Sequence, residues 1–311
     1  MKDRDLPEYI IHYHNINMKA PSTKSGTYMA LFRAMESTKP TEERLFYDPY
    51  AAAFLQGYHQ TLIAGCSIPF VRKLLAAYIQ LRWPGTHTAA IARTKLIDDM
   101  IIQAVCEQDI NQIIILSATF DTRAHRLNIG KPVSFVEVDH PETQYFKQSK
   151  LWELIQSPAI HLDYVKLDMN KEHLADVISP VLLKQRDHYK TLFLWENLST
   201  NFEAQHAETM FRFIRSFPSG TQVIVTYPDR AVLENPHRYK GFSRINKTLH
   251  RAGEGWDYGL DPQNITAFMH ERNMKVLYDG GADRYRAEYF GEKSQHMKGY
   301  EYFRVVRSEL Q

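Results

Sequence analysis

Apolar positions in this chain follow two periods in turn. Over residues 27–36, Tyr28, Leu31, Phe32 and Met35 recur at helical spacing and predict an amphipathic helix. Residues 61–83 keep that period through Leu62, Ile63, Ile68, Val71, Leu74, Leu75, Tyr78 and Leu81. Only Arg72, Lys73 and Arg82 are basic there, so the stretch reads as a core or lid helix rather than one lying on a membrane. Trp83-Pro84-Gly85 breaks it, and residues 89–105 form the next helix. Short apolar runs then appear at 113–116, 133–138, 163–167, 191–195, 223–227, 274–278 and 300–306. Helical stretches at 141–155, 171–181, 204–217 and 264–272 alternate with them. That alternation predicts an α/β fold with a mainly parallel sheet.

The segment from Ile113 to Pro141 organises the rest. Its first strand is β-branched and bounded by polar residues, as suits a strand buried on both faces. Small residues follow at Ser117, Ala118 and Thr119. Asp121 or Thr122 can cap a helix carrying Ala124 and Leu127, which Gly130 and Pro132 close. The second strand ends in Glu137 and Asp139. A turn of this kind lets a ligand approach the backbone, and an acid about 20 residues on can hold ribose hydroxyls. Asp139 lies 22 residues after Ser117. An ordinary βαβ unit with a surface acid would look the same, because the turn contains no glycine.

Composition narrows the class. The 311 residues, 44% hydrophobic and 24% charged, suit a soluble globular chain with a sizeable core. A net charge of +2 gives no reason to expect nucleic acid as a partner. Cys66 and Cys106 are the only cysteines, which fits a reducing cytoplasm. The charged N-terminus does not read as a signal peptide, and no run of 18 apolar residues exists, so a cytoplasmic location without a membrane partner is expected. His12 and His14 have no further ligand at metal-binding spacing and read as part of a polar lead-in arm. Nucleophile-elbow, Walker, His-Glu-x-x-His and Cys-x-x-Cys motifs are missing. So is Gly-x-Gly-x-x-Gly, which leaves a nicotinamide-dependent dehydrogenase a distant third reading.

Leu116-Ser117-Ala118-Thr119-Phe120-Asp121-Thr122-Arg123, followed by Glu137-Val138-Asp139-His140-Pro141, resembles the leucine carboxyl methyltransferase family of class I S-adenosylmethionine-dependent methyltransferases. That family reads Leu-Gly-Ala-Gly-x-Asp-Thr-Arg and Glu-x-Asp-x-Pro, so Ser117 and Thr119 stand where it has glycines. The resemblance runs from about residue 22 to 306 and includes Arg33-Ala34, Glu36, Asp48-Pro49-Tyr50-Ala51, Arg93-Thr94 and Trp256 to Gly259. It implies a Rossmann-like, seven-stranded sheet with an antiparallel C-terminal edge hairpin. It further implies an N-terminal helical extension or lid over residues 1–88, ahead of a methyltransferase domain at 89–311.

The resemblance also implies a cofactor, S-adenosyl-L-methionine, and a set of residues for it. Ser117, Ala118 and Thr119 form the turn against it. Arg93 reaches its carboxylate, Asp139 its ribose and Asp168 its adenine amino group, while Met169 packs on the ring. Glu196 lies beside the methionine end. Arg93 otherwise reads as a surface partner of Asp98 or Asp99, and Arg33 as a solvated helix charge. Asn201 replaces the tyrosine that the family places near the transferring methyl. The implied reaction is methyl transfer to an oxygen of a small molecule or peptide, a carboxylate above all, since an ionised acceptor needs no general base. The contrasting reading is a methyltransferase fold that binds or interacts without transferring methyl.

Overall fold

The computed structural model describes residues 23–152, 154–155, 161–168, 188–197 and 204–311. Met169, Asn201, His12, His14 and the helix expected at 171–181 lie outside them.

Four helices come first: α1 (Lys24–Ser37), α2 (Tyr58–Gly65), α3 (Pro69–Arg82) and α4 (Thr86–Gln108). The single helix expected over 61–83 is therefore two, parted at Cys66–Ile68, with Pro69 at the start of the second. There proline fits because the first helical N–H has no partner to lose. The sheet alternates with the remaining helices: β1 (Gln112–Leu116), α5 (Arg123–Arg126), β2 (Ser134–Asp139), α6 (Pro141–Trp152), β3 (His161–Lys166), β4 (Thr191–Trp195), α7 (Ala204–Ile214) and β5 (Gln222–Pro228). Then come α8 (Arg230–Glu234), α9 (Phe242–His250), α10 (Ile265–His270), β6 (Met274–Gly281), α11 (Ala282–Phe290) and β7 (Phe303–Leu310).

The strands form one seven-stranded sheet in the order β3-β2-β1-β4-β5-β7-β6. The first five pair in parallel, and β7 runs antiparallel to both β5 and β6. The C-terminal pair is joined through α11, and β7 inserts beside β5, leaving β6 at the edge. β1 is buried on both faces, as its β-branched run requires: Ile113 and Ile115 pack on one side, Ile114 and Leu116 on the other. A third apolar cluster lies under α1 to α3 and reaches the sheet through Phe120, stacked on Phe54 at 4.9 Å and 6°. That contact seats the N-terminal helices over the C-terminal end of β1. Among the described residues no helix is long and apolar enough to cross a membrane.

Candidate functional site

The chain leaves β1 through a tight turn. Ser117 and Thr119 take φ of 54° and 42°, in the left-handed region that glycine enters freely. Asn197, directly after Glu196 at the end of β4, does the same at 62°. Asparagine tolerates this conformation; a β-branched threonine is strained there by about 1–3 kcal/mol. The turn thus keeps a glycine-like path without glycine. Room for the Thr119 side chain comes from across the cleft, where Gly26 of α1 faces it. A Cβ on Gly26 would stand 2.5 Å from Thr119 Cγ2.

The turn is fastened to the next strand. The Thr119 N–H donates to Asp139 Oδ2 at 2.5 Å, and the His140 N–H donates to Oδ1 at 2.6 Å. Burial raises the Asp139 carboxyl above its usual range, against the pull of those two donors. Behind it, burial pushes Glu137 up to about 7, although Lys147 Nζ lies 2.5 Å from its Oε2. Asp168 follows β3, its Oδ2 3.8 Å from His140 Nε2. Asp139 and Asp168 therefore sit side by side at the ends of neighbouring strands.

α5 is a single turn that ends at Arg126, four residues before Gly130. It is held by ions rather than by the expected closing glycine. The Arg123 N–H donates to Asp121 Oδ1 at 2.7 Å, so Asp121 supplies the cap, while the Thr122 hydroxyl donates to Asp48 at 2.7 Å. Arg123 donates to Asp98 at 2.8 Å, to Glu196 at 2.8 Å and to the Asp121 side chain. Burial alone would raise Asp121; Arg123 pulls it down to about 2. Arg126 reaches the same Asp98 through two donors at 2.6 and 2.8 Å. Arg33 is buried, not solvated, and donates to Asp48 at 2.8 Å and to the Phe120 carbonyl at 2.5 Å. Burial opposes the charge on Asp48, but Arg33 and Arg126 hold it below the usual carboxylate range.

Arg93 is not a surface partner of Asp98 or Asp99. It is 2% exposed on α4, and Asp99 pairs with Lys95 instead. Its guanidinium lies over the Phe303 ring at 4.7 Å and donates to Met29 Sδ at 3.5 Å, a weak acceptor. Its Nε lies 3.3 Å from Glu196 Oε2 without a hydrogen bond.

These groups converge on a cleft lined by Ser117, Ala118, Thr119, Arg93 and Glu196, with Ser25, Gly26, Met29 and Arg33 of α1 as its roof. Its enclosed space is about 60 Å³, enough for a few water molecules. The roof is tied down at its N-terminus, where Glu254 accepts from the Lys24 and Ser25 N–H groups at 2.7 Å each. Asp139 borders the cleft through the turn rather than lining it, and Asp168 lies beyond it beside His140. Sequence reasoning missed Gly26, Met29 and Glu254, which carry no motif of their own. Asp98 was read only as a possible surface partner of Arg93, whereas it serves Arg123 and Arg126.

The leucine carboxyl methyltransferase family model matches residues 26–215. A Frankia alni protein assigned to the S-adenosyl-L-methionine-dependent methyltransferases is 36% identical over 123 residues, 40% of each chain. One from Mycobacterium sp. (strain JLS) with the same assignment is 30% identical over 267 residues, covering 82% of this chain and 80% of the relative. In fold, a DUF574-family protein of Streptomyces avermitilis superposes with a TM-score of 0.57 at 11% identity, over 91% of this chain and 97% of that one. The chain therefore belongs to the leucine carboxyl methyltransferase family of S-adenosyl-L-methionine-dependent methyltransferases.

Proposed function

We propose that this chain transfers the methyl group of S-adenosyl-L-methionine to an oxygen, with a carboxylate as acceptor. The observation that carries the reading is Arg93: a buried guanidinium beside a thioether, the Phe303 ring, the Tyr300 hydroxyl and an off-axis carboxylate. Such a group suits a ligand carboxylate, which it can meet with two parallel N–H bonds. The other donors and acceptors fit the same ligand. The strained turn brings backbone into the cleft, Asp139 keeps lone pairs free for ribose hydroxyls, and Asp168 lies one strand further for the adenine amino group. Glu196, anchored by Arg123, would hold negative charge near the sulfonium end of the bound cofactor.

When bound, the cofactor supplies the electrophilic methyl. The chain's own residues hold, orient and exclude water. A cofactor needs several hundred Å³, more than the 60 Å³ enclosed here, so most of it would occupy the open part of the cleft and the strand ends beside it. A carboxylate arriving at Arg93 would take the place of Met29 Sδ. No proton need be removed from an ionised acceptor, and the described site offers no obvious base.

Calorimetric titration with S-adenosyl-L-methionine and S-adenosylhomocysteine tests the cofactor site. Micromolar binding, lost in Asp139→Ala and weakened roughly tenfold or more in Arg93→Lys, is expected. Incubation with methyl-labelled cofactor and candidate acids, followed by mild base, tests the acceptor. Carboxyl esters release volatile methanol, whereas ethers retain the label. Absence of binding by the folded chain at millimolar ligand would favour the second reading, a methyltransferase fold that binds partners without transferring methyl. The small cleft and the glycine-free turn are what speak for it.

A further inference from the structure

The helical period of residues 61–83 predicts a face packed inward, yet α3 turns much of it outward. Arg72 and Ile79 are buried, and Leu75 packs against the N-terminal cluster. The opposite side presents Phe70 (69% exposed), Leu74 (55%), Tyr78 (60%) and Leu81 (78%). With exposed Ala77, positions 70, 74, 77 and 81 repeat at intervals of four, three and four residues, which makes one ridge along the helix. Tyr58 and Ile68, 66% and 58% exposed, extend the apolar area. Contiguous apolar surface of this kind on a folded chain marks a place of contact.

A second ridge lies against the first. Lys240, Arg244, Lys247 and Arg251 are exposed at the same spacing along α9 and its flanks, while Phe242, Ile245 and Leu249 point into the core. Arg244 Nη1 donates to the carbonyls of Leu81 and Arg82 at 3.2 Å each, so the cationic ridge abuts the end of the apolar one. Neither α3 nor the stretch 235–253 contains an aspartate or glutamate. The exposed acids flanking that stretch are Glu234 and Asp257, the latter 3.6 Å from His250 Nε2.

We propose that the α3–α9 face docks on the surface of an anionic lipid bilayer. Phe70, Leu74, Tyr78 and Leu81 would enter the boundary between headgroups and acyl chains, and the α9 cations would meet the headgroups. Leucine and aromatic side chains beside a lysine- and arginine-bearing face are the composition that this environment selects. Charge complementarity sets the choice of occupant. The face offers a second copy of the chain no carboxylate opposite its cations, and its apolar side chains stand proud as a ridge rather than lining a groove for a partner's helix. Trp83, at the end of α3, packs on Tyr28 of α1 at 5.1 Å, so the docked face is continuous with the helix that roofs the cleft.

Flotation of the purified full chain with vesicles tests this. Binding is expected to vesicles of phosphatidylcholine mixed with phosphatidylglycerol, not to phosphatidylcholine alone, and to weaken as salt is raised. The double variants Leu74→Ser/Leu81→Ser and Lys240→Glu/Lys247→Glu should each lower the bound fraction about tenfold or more. Both should keep the wild-type melting temperature, since all four side chains are exposed. Absence of binding to either vesicle, or equal binding to both, overturns the proposal. So does a wild-type dimer in sedimentation that Leu74→Ser/Leu81→Ser dissociates without any change in vesicle binding, which would assign the ridge to a second copy.

Discussion

The turn at residues 117–119 and the joint at residues 83–85 both bend the backbone through the left-handed region, yet only the joint uses glycine. At the joint, Gly85 has φ of 76° and Gly299, which crosses it, has φ of 102°. A Cβ on Gly299 would stand 2.5 Å from the Pro84 carbonyl oxygen, and one on Gly85 would collide with the Gly299 carbonyl. Two backbones touch there, and no side chain fits between them. At the turn, φ is just as unusual, but the side chain of Thr119 has space, because Gly26 gives it from the opposite helix. Unusual φ alone costs a residue about 1–3 kcal/mol. Contact between two backbones admits no residue but glycine.

The largest effects should fall on the joint. Gly299→Ala combines backbone strain with overlap and should destabilise by roughly 3–5 kcal/mol in urea unfolding. Thr119→Gly should change stability by no more than about 1 kcal/mol, strain relief being offset by a freer unfolded chain. Equal losses at the two positions would break the comparison.

The turn owes its rigidity to charge. Asp98→Ala strips an acceptor from two buried guanidiniums, Arg123 and Arg126, and should cost about 3–5 kcal/mol in the same assay. A loss below 1 kcal/mol would mean that the network does not hold the turn.

A smaller and more specific effect is expected across the cleft. Gly26→Ala should cost about 1–3 kcal/mol by overpacking against the Thr119 methyl. Thr119→Ser removes only that methyl and should recover most of the loss, with a coupling energy of at least about 0.5 kcal/mol in a double-mutant cycle. Additive losses would show that the two sites are independent.

The smallest effect at neutral pH concerns a histidine beside each region. Burial lowers His87 to about 3 and His125 to about 4. Their unfolded values lie near 6.5, so the unfolded chain takes up protons first as pH falls. Stability should therefore drop from about pH 6.5 downward, and His87→Gln should flatten that limb by up to about one proton. Glu137 acts with the opposite sign. Its folded value of about 7 lies above the unfolded one, so its contribution is full below about pH 4.5 and is lost as pH rises through 7. Glu137→Gln should accordingly steepen the net acid loss between pH 7 and 4.5. An acid limb with an unchanged slope in His87→Gln would show that this ring is not kept neutral by burial.

Much of the site was legible before the fold. Asp121-Thr122-Arg123 and Glu137-x-Asp139 carry their spacing in one contiguous segment, and strand ends bring Asp139, Asp168 and Glu196 to one edge of the sheet. Arg93 could be placed by its distance from β1, but its partner could not. Helical spacing pointed to Asp98, whereas the guanidinium turns inward and Asp98 serves Arg123 and Arg126. Gly26 and Glu254 meet residues 93 and 230 positions away, respectively, and nothing local marks such pairs.

By itself, then, the sequence determined the order of the strands, the parallel sheet and the motif acids, because periodicity and turn chemistry act over a few residues, while the helices α8, α9 and α11 and the split of residues 61–83 went unread. Whether Ser117 and Thr119 would bend the turn away or hold it in strain depended on space, and space belongs to whatever packs opposite. Which face of α3 meets the core depended in the same way on its neighbours. Its period is equally satisfied by Ile79 inward or by Leu74 and Leu81 inward, and packing against α4 chose the first. Contacts between segments distant in the chain made both decisions, and those exist only once the chain has folded.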